Sequence, residues 1–141
     1  MIFKQVFDPK TSTYTYFIGS AKGREAVIID PVIENVNKYI QLLTELDLKL
    51  VKVIDTHIHA DHTSGSGQLR ELLGCETVSG VSGPKCSSHN IQDQEILEID
   101  EVRIKAIFTP GHTDDSYSYL LESVEHYFLF SGDTLLIRGT G

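Results

Sequence analysis

Residues 56–62 read Thr-His-Ile-His-Ala-Asp-His and directly follow an apolar run that predicts a buried strand. Alternate side chains of a strand point to the same side, so His57 and His59 can reach one metal ion. The turn that follows brings Asp61 and His62 to the same cavity. Imidazole and carboxylate groups at this spacing are typical of a site for one metal ion or for two adjacent ions.

Two further candidate ligands lie downstream, each where a predicted strand ends. His112 closes the segment Thr-Pro-Gly-His, in which proline and glycine end a strand pattern. Asp133 follows an apolar run by way of Ser-Gly. Either residue alone would be an ordinary turn residue. Their order after the histidine cluster is what favours a metal site.

These segments resemble the metallo-β-lactamase superfamily, whose members share His-x-His-x-Asp-His, then a lone His and then a bridging Asp. Within it, the sequence is most similar to the persulfide dioxygenases, and the likeness runs over essentially the whole chain. Ala60 and Ser116 separate it from glyoxalase II, which more often has a bulky aromatic residue and a further His at these places. The likeness is carried by residues 7–9, 12–16, 26–32, 56–62 and 132–141, of which the last is the most specific.

The resemblance implies that His57, His112 and Asp133 hold one ferrous ion and carry the catalysis. Two imidazoles and one carboxylate form the facial triad of non-haem Fe(II) oxygenases, which leaves three positions for water, dioxygen and substrate sulfur. The other residues of the cluster would then orient these ligands and keep a second ion weak or absent: His59, Asp61 and His62.

The implied reaction is the oxidation of glutathione persulfide by dioxygen to sulfite and glutathione. Persulfide sulfur is a soft ligand for ferrous iron, and the reaction requires no protein nucleophile. Arg138 is the candidate contact for this anionic substrate. A solvated arginine or a structural salt bridge is an equally good interpretation of Arg138.

Thiolester hydrolysis of the glyoxalase II kind is the alternative, with two zinc or manganese ions and a bridging hydroxide. Its site would take three residues for each ion: His57, His59 and His112 for one, and Asp61, His62 and Asp133 for the other. The family supplies a final His from beyond the bridging Asp, whereas no His follows His126 here.

A third hypothesis is a fragment that folds or associates without turnover. The resembling family has two αβ halves, and this sequence stops soon after the second half begins. We therefore expect a single α/β domain over residues 1–141, a metallo-β-lactamase αββα sandwich that is truncated at its C-terminus. The bare face of its second sheet would favour a homo-oligomer.

The hydrophobic pattern predicts the elements of such a sandwich. Val36, Ile40, Leu43 and Leu46 recur at helical spacing, which predicts a helix from Ile33 to about Asp47. A short helix is expected over residues 67–73 and an exposed loop over 79–90. Strands are expected at 2–7, 14–19, 26–30, 50–55, 76–79, 96–99, 102–108, 116–121 and 126–130.

Composition restricts partners and compartment. A net charge of −8 argues against nucleic acid, because a phosphate-binding surface normally carries a basic patch. No apolar run is long enough to span a bilayer and the N-terminus lacks a secretory segment, so we expect no membrane partner and a cytoplasmic protein. Cys75 and Cys86, outside any Cys-x-x-Cys pattern, indicate free thiols in a reducing compartment.

Overall fold

The computed structural model describes residues 1–60, 62–81 and 83–141, which form two facing β-sheets, a two-stranded ribbon and two α-helices. The helices are α1 Val36–Glu45, preceded by a 3-10 turn at Ile33–Asn35, and α2 Ser66–Leu73. The strands are β1 Ile2–Asp8, β2 Thr13–Gly19, β3 Glu25–Ile29, β4 Lys49–Ile54, β5 Glu76–Gly80, β6 His89–Ile91, β7 Ile96–Ile99, β8 Val102–Phe108, β9 Tyr117–Glu122, β10 Tyr127–Phe130, β11 Leu135–Leu136 and β12 Gly139–Thr140.

The first sheet has the order β1-β2-β3-β4-β5-β6, antiparallel from β1 to β3 and parallel from β3 to β6. Parallel neighbours need a crossover, which α1 provides between β3 and β4 and α2 provides between β4 and β5. Helix α1 buries Val36, Tyr39 and Leu43, which repeat at helical spacing. These side chains form one apolar cluster with Phe17 and Ile28 of the sheet, so helices cover this face.

The second sheet is antiparallel, in the order β10-β9-β8-β7. Val102, Ile104 and Ala106 of β8 are buried and alternate with more exposed residues, as in a strand with one face in the core. They meet Ile29 and Ile54 of the first sheet in a second apolar cluster. The two sheets therefore form a sandwich around this cluster.

The connections after β3, β4, β8 and β10 meet at one end of the sandwich. Strands β3 and β4 are parallel neighbours, so their C-terminal ends lie side by side at one end of the first sheet. In the second sheet, β9 runs antiparallel to both β8 and β10. Strands β8 and β10 therefore run in the same direction and also end on one side. The chain thereby brings four strand ends, and the polar residues that follow them, to one place.

The predicted order of elements is confirmed for one helical layer and both sheets. Helix α1 is shorter than expected, because the residues at 33–35 form a 3-10 turn and the helix ends at Glu45. Residues 89–91 form the edge strand β6, which begins within the loop predicted at 79–90, and the ribbon of β11 and β12 was not predicted. Within the described parts of the chain, no helix covers the outer face of the second sheet.

In residues 1–60, 62–81 and 83–141, no helix combines the length and the apolar character needed to cross a bilayer.

Candidate metal centre

His57, His112 and Asp133 converge at the common end of the sandwich, each from a different connection. One ligand atom of each residue lies within 4.8 Å of the others. The Nε2 atoms of His57 and His112 lie 3.5 Å and 3.2 Å from Oδ2 of Asp133. The imidazole of His57 is almost fully buried, whereas His112 and Asp133 are partly open to solvent.

These separations fit a metal ion that the three groups share. Ligand atoms about 2.1 Å from an ion lie roughly 3.0 to 3.4 Å apart for angles between 90° and the tetrahedral value. The buried Nε2 atom of His57 has no hydrogen-bond partner among the described residues, which is unusual for a buried polar atom. A cation between the three groups would satisfy it, so the donor set fits a metal ion.

The ring of His57 is oriented by Thr56. The hydroxyl of Thr56 donates to Oδ2 of Asp30 at 2.8 Å, because a carboxylate can only accept. Its oxygen is then an acceptor for Nδ1–H of His57, 2.9 Å away. This assigns the proton to Nδ1 and leaves the Nε2 lone pair directed at the metal position. Burial lowers the pKa of His57 and the neighbouring His59 lowers it further, which also favours a neutral ligand.

The carboxylate of Asp30 is contacted by both Thr56 and His59. Its Oδ1 accepts the backbone N–H of Thr56 at 2.8 Å and lies 3.1 Å from Nε2 of His59. Asp30 itself has a φ of +53°, in the left-handed region that few non-glycine residues adopt. This conformation turns a buried carboxylate from the end of β3 toward the end of β4.

His59 belongs to a different set of groups from the three converging residues His57, His112 and Asp133. A ring nitrogen of His59 lies within 4.8 Å of carboxylate oxygens of Asp30 and Asp55. The ring centroid of His59 lies 4.2 Å from that of His57. The ring centroid of His62 lies 4.2 Å from that of His59 with the two planes tilted by 35°, and Nδ1 of His62 lies 3.4 Å from the hydroxyl of Thr13. Asp61, the remaining residue of the predicted cluster, lies outside the described residues.

The carboxylates beside His59 already have hydrogen-bond donors. Both oxygens of Asp55 accept serine hydroxyls, from Ser64 at 2.7 Å and from Ser66 at 2.8 Å. Burial raises the pKa of Asp55 to about 6, and the charge of Asp30 adds to this effect. We therefore interpret this second set as a hydrogen-bond network that supports the loop rather than as a second ion site.

A further carboxylate, Asp115, joins the two histidine-bearing loops. Its Oδ2 accepts the backbone N–H of Ile58 at 2.8 Å, and its Oδ1 accepts the hydroxyl of Thr113 at 2.6 Å. Ile58 follows His57 and Thr113 follows His112. Asp115 is buried, so this link fixes the distance between the two imidazoles.

Gly132 places the loop of Asp133 against Thr56. It has a φ of +52°, and an added Cβ would lie 2.6 Å from the Thr56 hydroxyl oxygen and 3.2 Å from Nδ1 of His57. Only glycine fits both the backbone conformation and this close approach. The Ser-Gly-Asp sequence therefore has a steric reason at this site.

A cavity of about 620 Å³ opens beside His57 and Asp133. One side is apolar and aromatic, and burial raises the pKa of Tyr16 in that wall, which keeps its phenol neutral. No lysine or arginine occurs among the described residues that line it. The apolar wall consists of Tyr14, Tyr16, Leu129, Phe130, Leu135, Leu136 and Ile137.

The predicted residues divide clearly by position. His57, His112 and Asp133 come together, and His59 lines the cavity with His57 and Asp133, whereas His112 is not part of the described lining. Arg138 lies in the tight turn between β11 and β12, is exposed, and is absent from the described cavity lining although its neighbour Ile137 is part of it.

Sequence reasoning gave no role to Asp30, Thr56 or Asp115. Asp30 stands at the end of an apolar strand, which is the same signal that identified Asp133. Thr56 and Asp115 are small polar residues next to predicted ligands, a position that is suited to orienting them.

Known proteins resemble this chain over nearly its whole length. A sequence profile described as the metallo-beta-lactamase superfamily matches residues 8–141. The persulfide dioxygenase ETHE1, mitochondrial, of Bos taurus is 43% identical over 143 residues, and that of Homo sapiens is 41% identical, each alignment covering 100% of this chain and 55% of the relative. A probable hydroxyacylglutathione hydrolase of Schizosaccharomyces pombe is 36% identical, with 91% of this chain and 51% of that protein covered. The chain thus spans about half the length of these relatives.

Solved structures give the same picture. The crystal structure of ETHE1 from Myxococcus xanthus matches with a TM-score of 0.94 at 46% identity, over 100% of this chain and 61% of that one. The BLEG-1 B3 metallo-beta-lactamase matches with a TM-score of 0.82 at 24% identity, over 99% of this chain and 76% of that one. The second likeness shows the fold alone.

Proposed function

Because this chain belongs to the metallo-beta-lactamase superfamily, we propose that its metal centre is that of a persulfide dioxygenase, with one iron held by His57, His112 and Asp133. The observation that carries the proposal is the convergence of these three ligand atoms while Nε2 of His59 is directed to Asp30. Two imidazoles and one carboxylate are the ligand set of non-haem Fe(II) oxygenases. The relatives named persulfide dioxygenase support the same choice.

The proposed reaction converts glutathione persulfide, dioxygen and water into glutathione, sulfite and two protons. The terminal sulfur is oxidised, dioxygen is reduced, and the sulfur–sulfur bond breaks to leave the thiol. When bound, ferrous iron would supply open positions for sulfur and dioxygen and the electrons that activate dioxygen. The reaction needs no protein nucleophile, which agrees with a cavity lining that contains no cysteine among its described residues.

The protein's part is to position and to shield. His57 is fixed by Thr56 through Nδ1, so its Nε2 stays unprotonated and keeps its direction. Tyr14 and Tyr16 lie in the wall beside the ligands, where they would contact the carbon chain next to the sulfur. Tyr16 and Phe130, the more buried residues of the wall, would limit the access of bulk water to the reacting sulfur.

The remainder of the substrate would lie toward the outer side of the cavity. The described lining offers no cation for the carboxylates of glutathione, so this chain would contact mainly the sulfur end. Arg138 directly follows the lining residue Ile137, and we keep it as the candidate contact for an anionic group.

Oxygen uptake tests the proposal. Protein loaded with Fe²⁺ under nitrogen is mixed with glutathione persulfide in an oxygen electrode, and sulfite is measured in the same sample. We expect oxygen uptake and sulfite in equal amounts, and none with His112→Ala. Sulfite formation without oxygen uptake would overturn the proposed reaction.

Thiolester hydrolysis is the second candidate, because the hydrolase relative is 36% identical and because the rings of His57, His59 and His62 lie in a row, with successive centroids 4.2 Å apart. Two metal ions would then be held, with Asp61 among the ligands. Hydrolysis of S-lactoylglutathione by zinc-loaded protein, without oxygen consumption, would favour this candidate.

A further inference from the structure

The hydroxyl of Tyr39, on helix α1, is linked to the backbone carbonyl of Asp30 through the hydroxyl of Thr15. Tyr39 is buried on the helical side of the first sheet, in the apolar cluster opposite the sheet sandwich. Its ring packs edge-on against Phe17, with centroids 5.6 Å apart. Its hydroxyl oxygen lies 3.0 Å from the hydroxyl of Thr15 and 3.1 Å from the backbone nitrogen of Val32.

The direction of each hydrogen bond follows from the groups present. The Thr15 hydroxyl donates to the backbone carbonyl of Asp30 at 2.7 Å, because a carbonyl can only accept. Thr15 has one hydroxyl proton, so it must accept the proton of Tyr39. Tyr39 in turn accepts the N–H of Val32. The series of hydrogen bonds therefore runs from the N–H of Val32 through the hydroxyls of Tyr39 and Thr15 to the carbonyl of Asp30.

This chain of hydrogen bonds holds both sides of a strained residue. Asp30 has a φ of +53°. On its C-terminal side, its carbonyl accepts the hydroxyl of Thr15, and the N–H of Val32, two residues on, donates to the hydroxyl of Tyr39. Pro31, between them, has no N–H to offer. Thr15, Tyr39 and Val32 are all buried, so water cannot readily replace a lost hydroxyl.

The held residue is the one that orients the candidate ligands. The carboxylate of Asp30 accepts both the hydroxyl and the N–H of Thr56, and Thr56 fixes Nδ1 of His57. The same carboxylate contacts His59. A rotation at residue 30 would therefore displace the imidazole of His57, the most buried of the three converging ligands.

We propose that Tyr39 is a positioning residue for the metal centre, which sets the metal affinity of His57 from the opposite face of the sheet. The inference rests on the proposed function only in that His57 is taken to bind a metal. Residues that orient a ligand through its other ring nitrogen change metal affinity by roughly 10- to 100-fold. Tyr39 would act one step further out, through Asp30 and Thr56.

Titration of the metal-free chain with Co²⁺ alone tests this inference, because cobalt absorption reports both affinity and ligand geometry. Tyr39→Phe keeps the ring and removes only the hydroxyl. We expect its Kd for Co²⁺ to rise by about 10-fold and its visible absorption band to change. Thr15→Val should have the same effect, and Thr15→Ser, which keeps the hydroxyl, should restore the affinity.

The matched control is Leu43→Ala, on the same buried face of α1. It loses packing but has no hydrogen bond to residues 30–32, so we expect lower stability in urea and an unchanged Kd for the folded protein. Equal Kd values for Tyr39→Phe and the unaltered chain would overturn the inference, as would an equal loss in Leu43→Ala. If the unaltered chain binds no Co²⁺, the proposed metal centre itself fails and the inference fails with it.

Discussion

The hydroxyl oxygen of Thr56 lies 2.9 Å from Nδ1 of the neighbouring His57. Since that hydroxyl is held by Asp30, the imidazole is fixed before any metal arrives. Preorganised ligands lose less freedom on binding, and a fixed tautomer leaves the correct nitrogen available.

Thr56→Val replaces the hydroxyl by a methyl group of similar size. We expect the iron affinity to fall by roughly 10- to 100-fold, because His57 loses its acceptor and Asp30 loses a donor. Thr56→Ser keeps the hydroxyl and should bind iron nearly as well as the unaltered chain. Anaerobic titration with Fe²⁺ measures both variants, and equal affinities for valine and serine would contradict the orienting role.

His112→Ala and His59→Ala should differ in their effect on bound iron. His112→Ala deletes one of three converging ligands, so we expect most of the bound iron to be lost. His59→Ala deletes a contact of Asp30 outside that set, so iron should stay bound while turnover changes. Metal analysis of the two purified variants makes the comparison, and equal losses would favour a two-metal site.

Gly132→Ala should disturb the centre through the backbone. A left-handed φ costs an alanine about 1 to 2 kcal/mol, and the new Cβ would approach the Thr56 hydroxyl at 2.6 Å. We expect lower stability and weaker metal binding together. Gly67→Ala is the control, because it lies in α2 and its Cβ would meet no atom of the described residues within 4 Å.

In a helix, alanine is favoured over glycine by about 0.5 to 1 kcal/mol, so Gly67→Ala should be neutral or stabilising. Urea unfolding of both variants measures the difference. A Gly132→Ala protein as stable as Gly67→Ala would contradict the steric account.

Asp55 gives the metal-free protein a pH dependence of known sign. Its pKa is about 6 in the folded chain against an ordinary value of 3.8, so between these values the folded state holds a proton that the unfolded state lacks. The contribution of Asp55 to the free energy of unfolding therefore increases as the pH falls through 6. From pH 7 to pH 5 the gain is about 1 kcal/mol.

Asp55→Asn removes this titration and keeps the shape of the side chain. We expect the free energy of unfolding of the variant to gain about 1 kcal/mol less than that of the unaltered chain between pH 7 and pH 5. Urea unfolding of both metal-free proteins at the two pH values gives the difference. Identical pH dependence in the two proteins would show that Asp55 does not titrate in this range.

The sequence predicts those parts of the molecule that local patterns encode. The apolar runs before His57, His112 and Asp133 mark strands, of which β4 and β8 are largely buried and β10 is mostly exposed, and Pro-Gly and Ser-Gly mark the turns that follow. Strand β6 escaped prediction because a three-residue edge strand in a segment rich in Gly, Ser and Pro carries little hydrophobic signal.

The role of Asp30 depends on a contact 26 residues away in the chain. It arises only because β3 and β4 are parallel neighbours that end together. The contact of Tyr39 with Val32 likewise requires α1 to pack on the sheet with one particular residue inward. Helical periodicity predicts which face is buried, but it does not specify where a buried hydroxyl finds its partners.

Metal content is the most direct test of the central claim. The chain is expressed with added iron, purified without oxygen and analysed by plasma mass spectrometry, with its intact mass recorded on the same sample. The account predicts about one iron per chain, and much less in Asp133→Asn purified in parallel. Two zinc or manganese ions per chain, or no metal at all, would contradict it.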